Sequence, residues 1–151
     1  MKDYFKIKGE LKYALYDEFG NVKQQGSDNN LIVNGMDAHV AAVMSSGTDS
    51  GQIRFIAIGS GAGQTAASSG LQHFVSIIPL SGIGSPIISG NSAVVYSGYW
   101  GAGTGTGSIR EAGVFRTSGT GMASGLMTYN DTISVNKGAN DSLKIDWTVT
   151  F

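Results

Sequence analysis

The 151-residue sequence has no cysteine, two prolines and two histidines. Without cysteine there can be no disulfide framework and no thiolate-ligated zinc. Charge is scarce as well. Ten Lys and Arg stand against eleven Asp and Glu, and charged residues make up 14% of the chain, against roughly a quarter in ordinary globular domains. The net charge of −1 leaves no basic stripe of the kind that announces nucleic acid or an anionic membrane. No uninterrupted apolar stretch approaches the roughly 20 residues a membrane-spanning helix needs. The opening segment MKDYFKIKGELKY has no apolar h-region, so we expect synthesis in a cytosol without Sec export.

What is plentiful is glycine, with 23 residues, together with Ser, Thr, Asn and Gln. A surface covered by such groups is cheaper to desolvate than a charged one. It suits a protein that lives against other proteins, although a stable secreted β-domain would show the same composition. The length is that of one domain, and we read residues 1–151 as a single β-rich unit.

Hydrophobic periodicity gives the elements. Phe5, Ile7, Leu11, Tyr13 and Leu15 share one parity against Lys6, Lys8, Glu10 and Lys12, which reads as a half-buried strand. DEFGNVK (17–23) supplies turn chemistry for a hairpin into residues 22–25. One helix is expected over about 34–45, with Asn34 as cap and Met36, Val40, Val43 and Met44 at helical spacing. Strands are predicted at 53–58, 71–79, 93–100, 109–116, 125–129, 132–136 and 143–151. In the last, Leu143, Ile145, Trp147, Val149 and Phe151 alternate with Lys144, Asp146, Thr148 and Thr150. Many short strands, one helix and no βαβ rhythm predict a mainly β fold: an antiparallel sandwich or partly open barrel. The Gly- and Ser-rich stretches at 59–70, 81–92 and 101–108 read as long loops of that unit.

Candidate chemistry is thin. Gly61-Ala62-Gly63-Gln64-Thr65-Ala66 satisfies a loose G-x-G-x-x-A pattern after the apolar run FIAI. A dinucleotide site also needs a long helix and an acid about 20 residues on. Neither exists: no Asp or Glu occurs between Asp49 and Glu111, and Gly70 interrupts the segment that follows. Gly59, Gly61 and Gly63 are instead expected to let the chain leave its strand at unusual backbone angles. His39 and His73 lack partners at metal-ligand spacing, and no G-x-S-x-G elbow occurs. Glu111, in SIREAGVF, has no second acid nearby for paired-carboxylate chemistry. It reads as a structural hydrogen-bond acceptor for a loop or an Arg. Tyr96, Tyr99 and Trp100 could stack on a sugar, but strand alternation puts Tyr99 on one face and the other two on the opposite one, so at least one set belongs to the core. No catalytic residue, cofactor or metal is expected.

The order of segments carries more. NNLIVNGMDAHVAAVM, IRFIAIGSGAGQTAASSGLQ, IREAGVF, GLMTYN and the closing NKGANDSLKIDWTVTF follow one another as they do in a group of small virion proteins of tailed bacteriophages, common in marine and cyanobacterial phages. The chain resembles this group over essentially its whole length. The resemblance implies a β-rich structural protein of the particle, made in the host cytoplasm, with no catalytic residues to transfer. A capsid decoration or cement protein is the favoured version, because one compact module lacks any shaft-like or coiled-coil element. A tail-fibre or tail-attachment protein with a receptor- or glycan-binding role is the alternative. The partners implied are further copies of the chain, with a trimer favoured, and other virion proteins such as the major capsid protein, with no nucleic acid or membrane. Contact residues are then expected in the loops, at Gly59, Gly61, Gly63 and Thr65 and at Gly101, Gly103, Thr104 and Gly105. Tyr96, Tyr99 and Trp100 are the stacking candidates of the alternative.

Overall fold

The computed structural model describes residues 7–46, 53–63, 65–80, 87–89, 93–116, 126–130 and 132–150. In chain order these form β1 (Lys8–Tyr16), β2 (Val22–Ile32), α1 (Asn34–Ser46), β3 (Phe55–Gly59), β4 (Phe74–Pro79), β5 (Ile87–Ser89), β6 (Ala93–Trp100), β7 (Gly107–Ile109), β8 (Glu111–Phe115), β9 (Leu126–Asn130), β10 (Val135–Lys137) and β11 (Ser142–Thr150). Nine strands join in the order β4-β3-β8-β9-β2-β1-β11-β6-β5, and β7 pairs separately with β10. Every pairing is antiparallel.

The sheet has two halves that share β2. From Val22 to Asn30 this strand pairs with β1, and at Leu31 and Ile32 it pairs with β9. The halves then face one another. Gly98 of β6 approaches β3 so closely that a Cβ there would collide with Ile56 Cγ2 and lie 3.2 Å from Trp100 Cη2. Among the described residues no ladder joins β4 to β5, so the sheet folds over without closing. The architecture is therefore the mainly β, sandwich-like or partly open arrangement that the sequence predicts, with one short helix.

Alternation in β11 explains the core. Leu143, Ile145, Trp147 and Val149 are all fully buried, while Lys144 on the other face is exposed. Trp147 stands between Leu11 of β1 and Tyr96 of β6. Leu143 stands likewise between Leu15 and Trp100. Against this layer pack Ile56 and Ile58 of β3 and Ala112 and Val114 of β8. Met36 and Val40 of the helix join the same core; the side chains of Val43 and Met44 lie outside the described residues. Strand β8 is buried at every position because its second face is covered too. There Phe115, Ala57, Leu71 and Val33 form a smaller cluster with Phe55, Phe74 and Ile77 against it.

Several boundaries differ from the expectation, each for a physical reason. β2 runs to Ile32 rather than stopping near residue 25. Its alternate positions Gln24, Gly26, Asp28 and Asn30 are half-buried, and polar side chains there give no hydrophobic signal. Ladders on both sides and side-chain bonds hold it instead: Gln24 Nε2 donates to Ser134 O at 2.8 Å, and the Thr132 hydroxyl donates to the Asp28 carboxylate. The predicted strand 109–116 is two strands broken at Arg110, whose guanidinium donates to Val135 O at 3.1 Å and Asn136 Oδ1 at 3.1 Å. The strand expected at 71–79 begins at Phe74, and that at 132–136 is displaced to Val135–Lys137. Within the loop expected at 81–92, Ile87–Ser89 form β5; residues 81–86 and 90–92 lie outside the described residues, as do Phe5 and Phe151.

Trp147→Ala should lower the unfolding free energy by about 3–5 kcal/mol, the usual loss for a large buried aromatic, and that approaches the whole stability of a small domain. Denaturant unfolding measures it. A soluble variant with an unchanged midpoint would contradict the inward placement of this row.

Candidate contact surfaces

The glycine loop after β3 is organised by one buried side chain. Glu111, the first residue of β8, is fully buried. Its Oε1 accepts from Gly61 N at 3.0 Å and His73 N at 2.7 Å, and its Oε2 accepts from Gln72 N at 3.0 Å. Ser60 N donates to His73 O at 2.9 Å, and Arg110 N donates to Gly59 O at 2.8 Å. The loop thus doubles back over the second face of β3 and β8, bringing Leu71 into the smaller core. Asn34 N at the start of the helix donates to Ala66 O at 2.7 Å and ties down its middle.

This arrangement corrects the expected use of the glycines. Gly63 has a positive φ of 85°, whereas Gly59 and Gly61 do not; they are required by space. A Cβ on Gly61 would lie 2.8 Å from Glu111 Oε1, and one on Gly59 would collide with the same oxygen and with His73 O. Gly59 and Gly61 are buried and are unavailable as contact residues, while Gly63 and Thr65 are exposed. The Gly61 N–H of the apparent phosphate cradle faces a carboxylate of its own chain. Glu111 plays the structural acceptor role expected of it, toward the backbone of a loop.

A second cluster of loops gathers at one end of the sheet. The β1–β2 turn, Asp17–Asn21, is locked by Asp17 Oδ1, which accepts from Phe19 N at 2.9 Å and Asn21 N at 2.8 Å. Beside it the turn Gly138–Asp141 is held by Asp141 Oδ2, which accepts from Gly138 N at 2.8 Å and Lys23 Nζ at 2.8 Å. Lys137 is almost fully buried and donates to Gly101 O at 2.9 Å, and Gly103 N donates to Ala139 O at 2.7 Å. The β6–β7 loop is therefore pinned to the β10–β11 turn. Gly103 and Thr104 are exposed, whereas Gly101 and Gly105 are half-buried, Gly105 lying against Ile58 and Trp100. The hydrogen bond from Lys23 is the main cause that holds the Asp141 carboxyl below its ordinary range, the Gly138 N–H adding to it. Burial lowers the Lys137 ammonium, an effect the Asp141 charge opposes.

The aromatic candidates separate by face. Trp100 is fully buried and Tyr96 nearly so, both inside the core, and burial pushes the Tyr96 phenol up to about 12. Neither offers a ring to a sugar, which corrects that part of the stacking set. Tyr99 alone of the three is exposed, at 53%, with Lys144 as its cross-strand neighbour. On this outer face a shallow depression of about 420 Å³ is lined by Lys12, Tyr16, Gln25, Ser27, Lys144 and Asp146, among others. Of the histidines, His39 is half-buried on α1 and His73 is exposed. Among the described residues no group of three or more His, Cys, Asp or Glu could hold a metal. Phe19, which no hydrophobic periodicity singles out, is 80% exposed at the tip of the β1–β2 turn. The available signal was a large apolar residue in the middle of a turn sequence, D-E-F-G-N.

Glu111→Gln replaces one acceptor oxygen by a donor facing an N–H group. It should cost about 2–3 kcal/mol and speed amide exchange at Gly61, Gln72 and His73. Native-like exchange at all three would contradict the pinning role. Asp141 has a folded pKa below its unfolded value near 3.8. Its stabilisation is therefore complete above that value and is lost as pH falls through the folded one. Thermal unfolding followed from neutral pH downward should show a steeper acid loss for the native chain than for Asp141→Asn.

Comparison with known proteins finds no matching family, no matching characterised protein and no matching solved structure.

Proposed function

We propose that the chain is a structural component of a bacteriophage particle, acting as a capsid decoration or cement protein. The observation that carries this reading is the fate of its two loop clusters. Each is pinned by acidic or basic side chains, buried Glu111 in one and buried Asp141 and Lys137 with the half-exposed Lys23 in the other. On the glycine loop and the β6–β7 loop what remains outside is small and uncharged, Ala62, Gly63, Thr65, Ala66 and Ala67 on one and Ala102, Gly103 and Thr104 on the other; the β1–β2 turn of the second cluster differs, exposing Glu18 and Phe19. Rigid loops ending in such groups lose little entropy and little hydration on contact. They suit a permanent interface better than a catalytic cleft. The sequence resemblance to small tailed-phage virion proteins points the same way. The chain would bind as a closed homo-oligomer, a trimer on a three-fold position of the head, against the major capsid protein.

A tail-attachment protein that touches host glycans is the second reading. Exposed Tyr99 beside Lys144, next to the polar depression on the outer face, supports it. It has lost two of its three stacking rings to the core.

Particles assembled without the chain should form but break at lower temperature or lower ionic strength than complete ones, and adding back the purified chain should restore them. Unchanged particle stability would overturn the cement role. Immunogold label on the tail rather than the head would favour the second reading.

A further inference from the structure

We infer that the end of the molecule carrying Phe19 is its docking tip, which inserts that ring into an apolar pocket of another virion protein whose rim carries Lys or Arg. This rests on the virion role proposed above and names the surface and the partner chemistry it uses.

Among the described residues Phe19 is the most exposed of the large apolar ones, at 80% against 53% for Tyr99, 51% for Val22 and 39% for Leu31. Leaving such a ring in water has no structural benefit to the hairpin. Aromatic residues are enriched at protein interfaces, and energetic anchors sit in closely packed pockets. The ring is also presented rigidly. Both N–H bonds to Asp17 Oδ1 are joined by Asp17 N to Asn21 O at 2.8 Å and Gly20 N to Asp17 O at 3.1 Å. Little backbone freedom is left to lose on binding, which is the condition under which one side chain contributes most.

The charges around the ring select the partner. Lys23 is paired with Asp141 at 2.8 Å, and Lys137 is buried against Gly101 O. Asp17 and Glu18, on the two positions before Phe19, have no cation bound to them among the described residues, so the tip is an apolar ring beside two carboxylates. A second copy meeting it tip to tip would oppose acid to acid. A pocket rimmed by cations would gain from the same groups. A shallow depression of about 340 Å³, lined by Glu18, Phe19, Lys23, Ala139, Asn140 and Asp141 among others, lies beside the ring and can seat the partner's rim.

The test adds purified chain to particles assembled without it and measures bound copies by sedimentation across a concentration series. Phe19→Ala should raise the apparent Kd at least about thirtyfold, as for an interface hot spot, while its thermal midpoint stays native because the ring is exposed. Phe19→Leu, which keeps apolar bulk, should retain most of the binding. Tyr99→Ala should bind as the native chain does. Glu18→Lys should weaken binding more than Glu18→Gln, and native binding should fall as salt rises. Native chain that binds while Phe19→Ala binds equally well overturns the docking tip and leaves the virion role standing. Tighter binding by Glu18→Lys overturns the cationic rim. Failure of the native chain to bind overturns the virion role itself, and the docking tip with it.

Discussion

Strand β2 is the constraint on which the architecture depends, because it belongs to both halves of the sheet. A nine-stranded antiparallel sheet cannot bury its inner face while flat. It must fold over, and one strand has to leave a ladder and enter another. β2 does so between Asn30 and Leu31. The fold-over brings β6 against β3, where Gly98 leaves room for Ile56. It also brings the β11 row of Leu143, Ile145, Trp147 and Val149 into one core with Ile56, Ile58, Ala112 and Val114. The polar inner row of β2 follows from the same geometry. Along that row Gln24 and Asp28 meet carbonyl and hydroxyl partners from residues 132–134.

This explains which parts of the fold could be read from the residues. β11 and β1 bury one face only, so apolar residues recur at every second position of most of their length, Leu11, Tyr13 and Leu15 in β1 and Leu143, Ile145, Trp147 and Val149 in β11, and the sequence shows it. The helix is legible because Met36 and Val40 reach the core at helical spacing. β2 beyond Gln25 is not legible, since backbone ladders hold it and its side chains are Ser, Asp and Asn. The break at Arg110 is hidden for a related reason. Apolar residues continue on either side of it, and only the tertiary position of Val135 O shows why the chain changes partner there.

The site divides in the same way. That Glu111 is a structural acceptor, for a loop or an Arg, is what an isolated acid in a strand suggests. Which N–H groups it takes depends on how 59–63 and 72–73 are brought together, and no local pattern encodes that. Reading the glycines as conformational devices fits Gly63 and fails for Gly59 and Gly61, whose requirement is the absence of a Cβ beside a carboxylate. The aromatic strand 96–100 obeys alternation, and so the core claims Tyr96 and Trp100 while Tyr99 stays outside.

Among the described residues of a chain with so few charges, Glu111, Lys137 and Asp141 are buried. Buried ionised groups are a weak source of net stability, because desolvation offsets most of the attraction. Their effect is geometric: each accepts or donates bonds that only one loop conformation supplies. Glu111 specifies the path of 59–73, while Asp141 and Lys137 specify 138–141 and 101–103. A chain that fixes its loops from inside has no need of charged side chains on those loops to order them. It can then expose Ala, Gly and Thr and still present a defined shape. Such a surface gains specificity from form rather than from ion pairs, and its contacts with a neighbour would be insensitive to salt except where Asp17 and Glu18 flank Phe19.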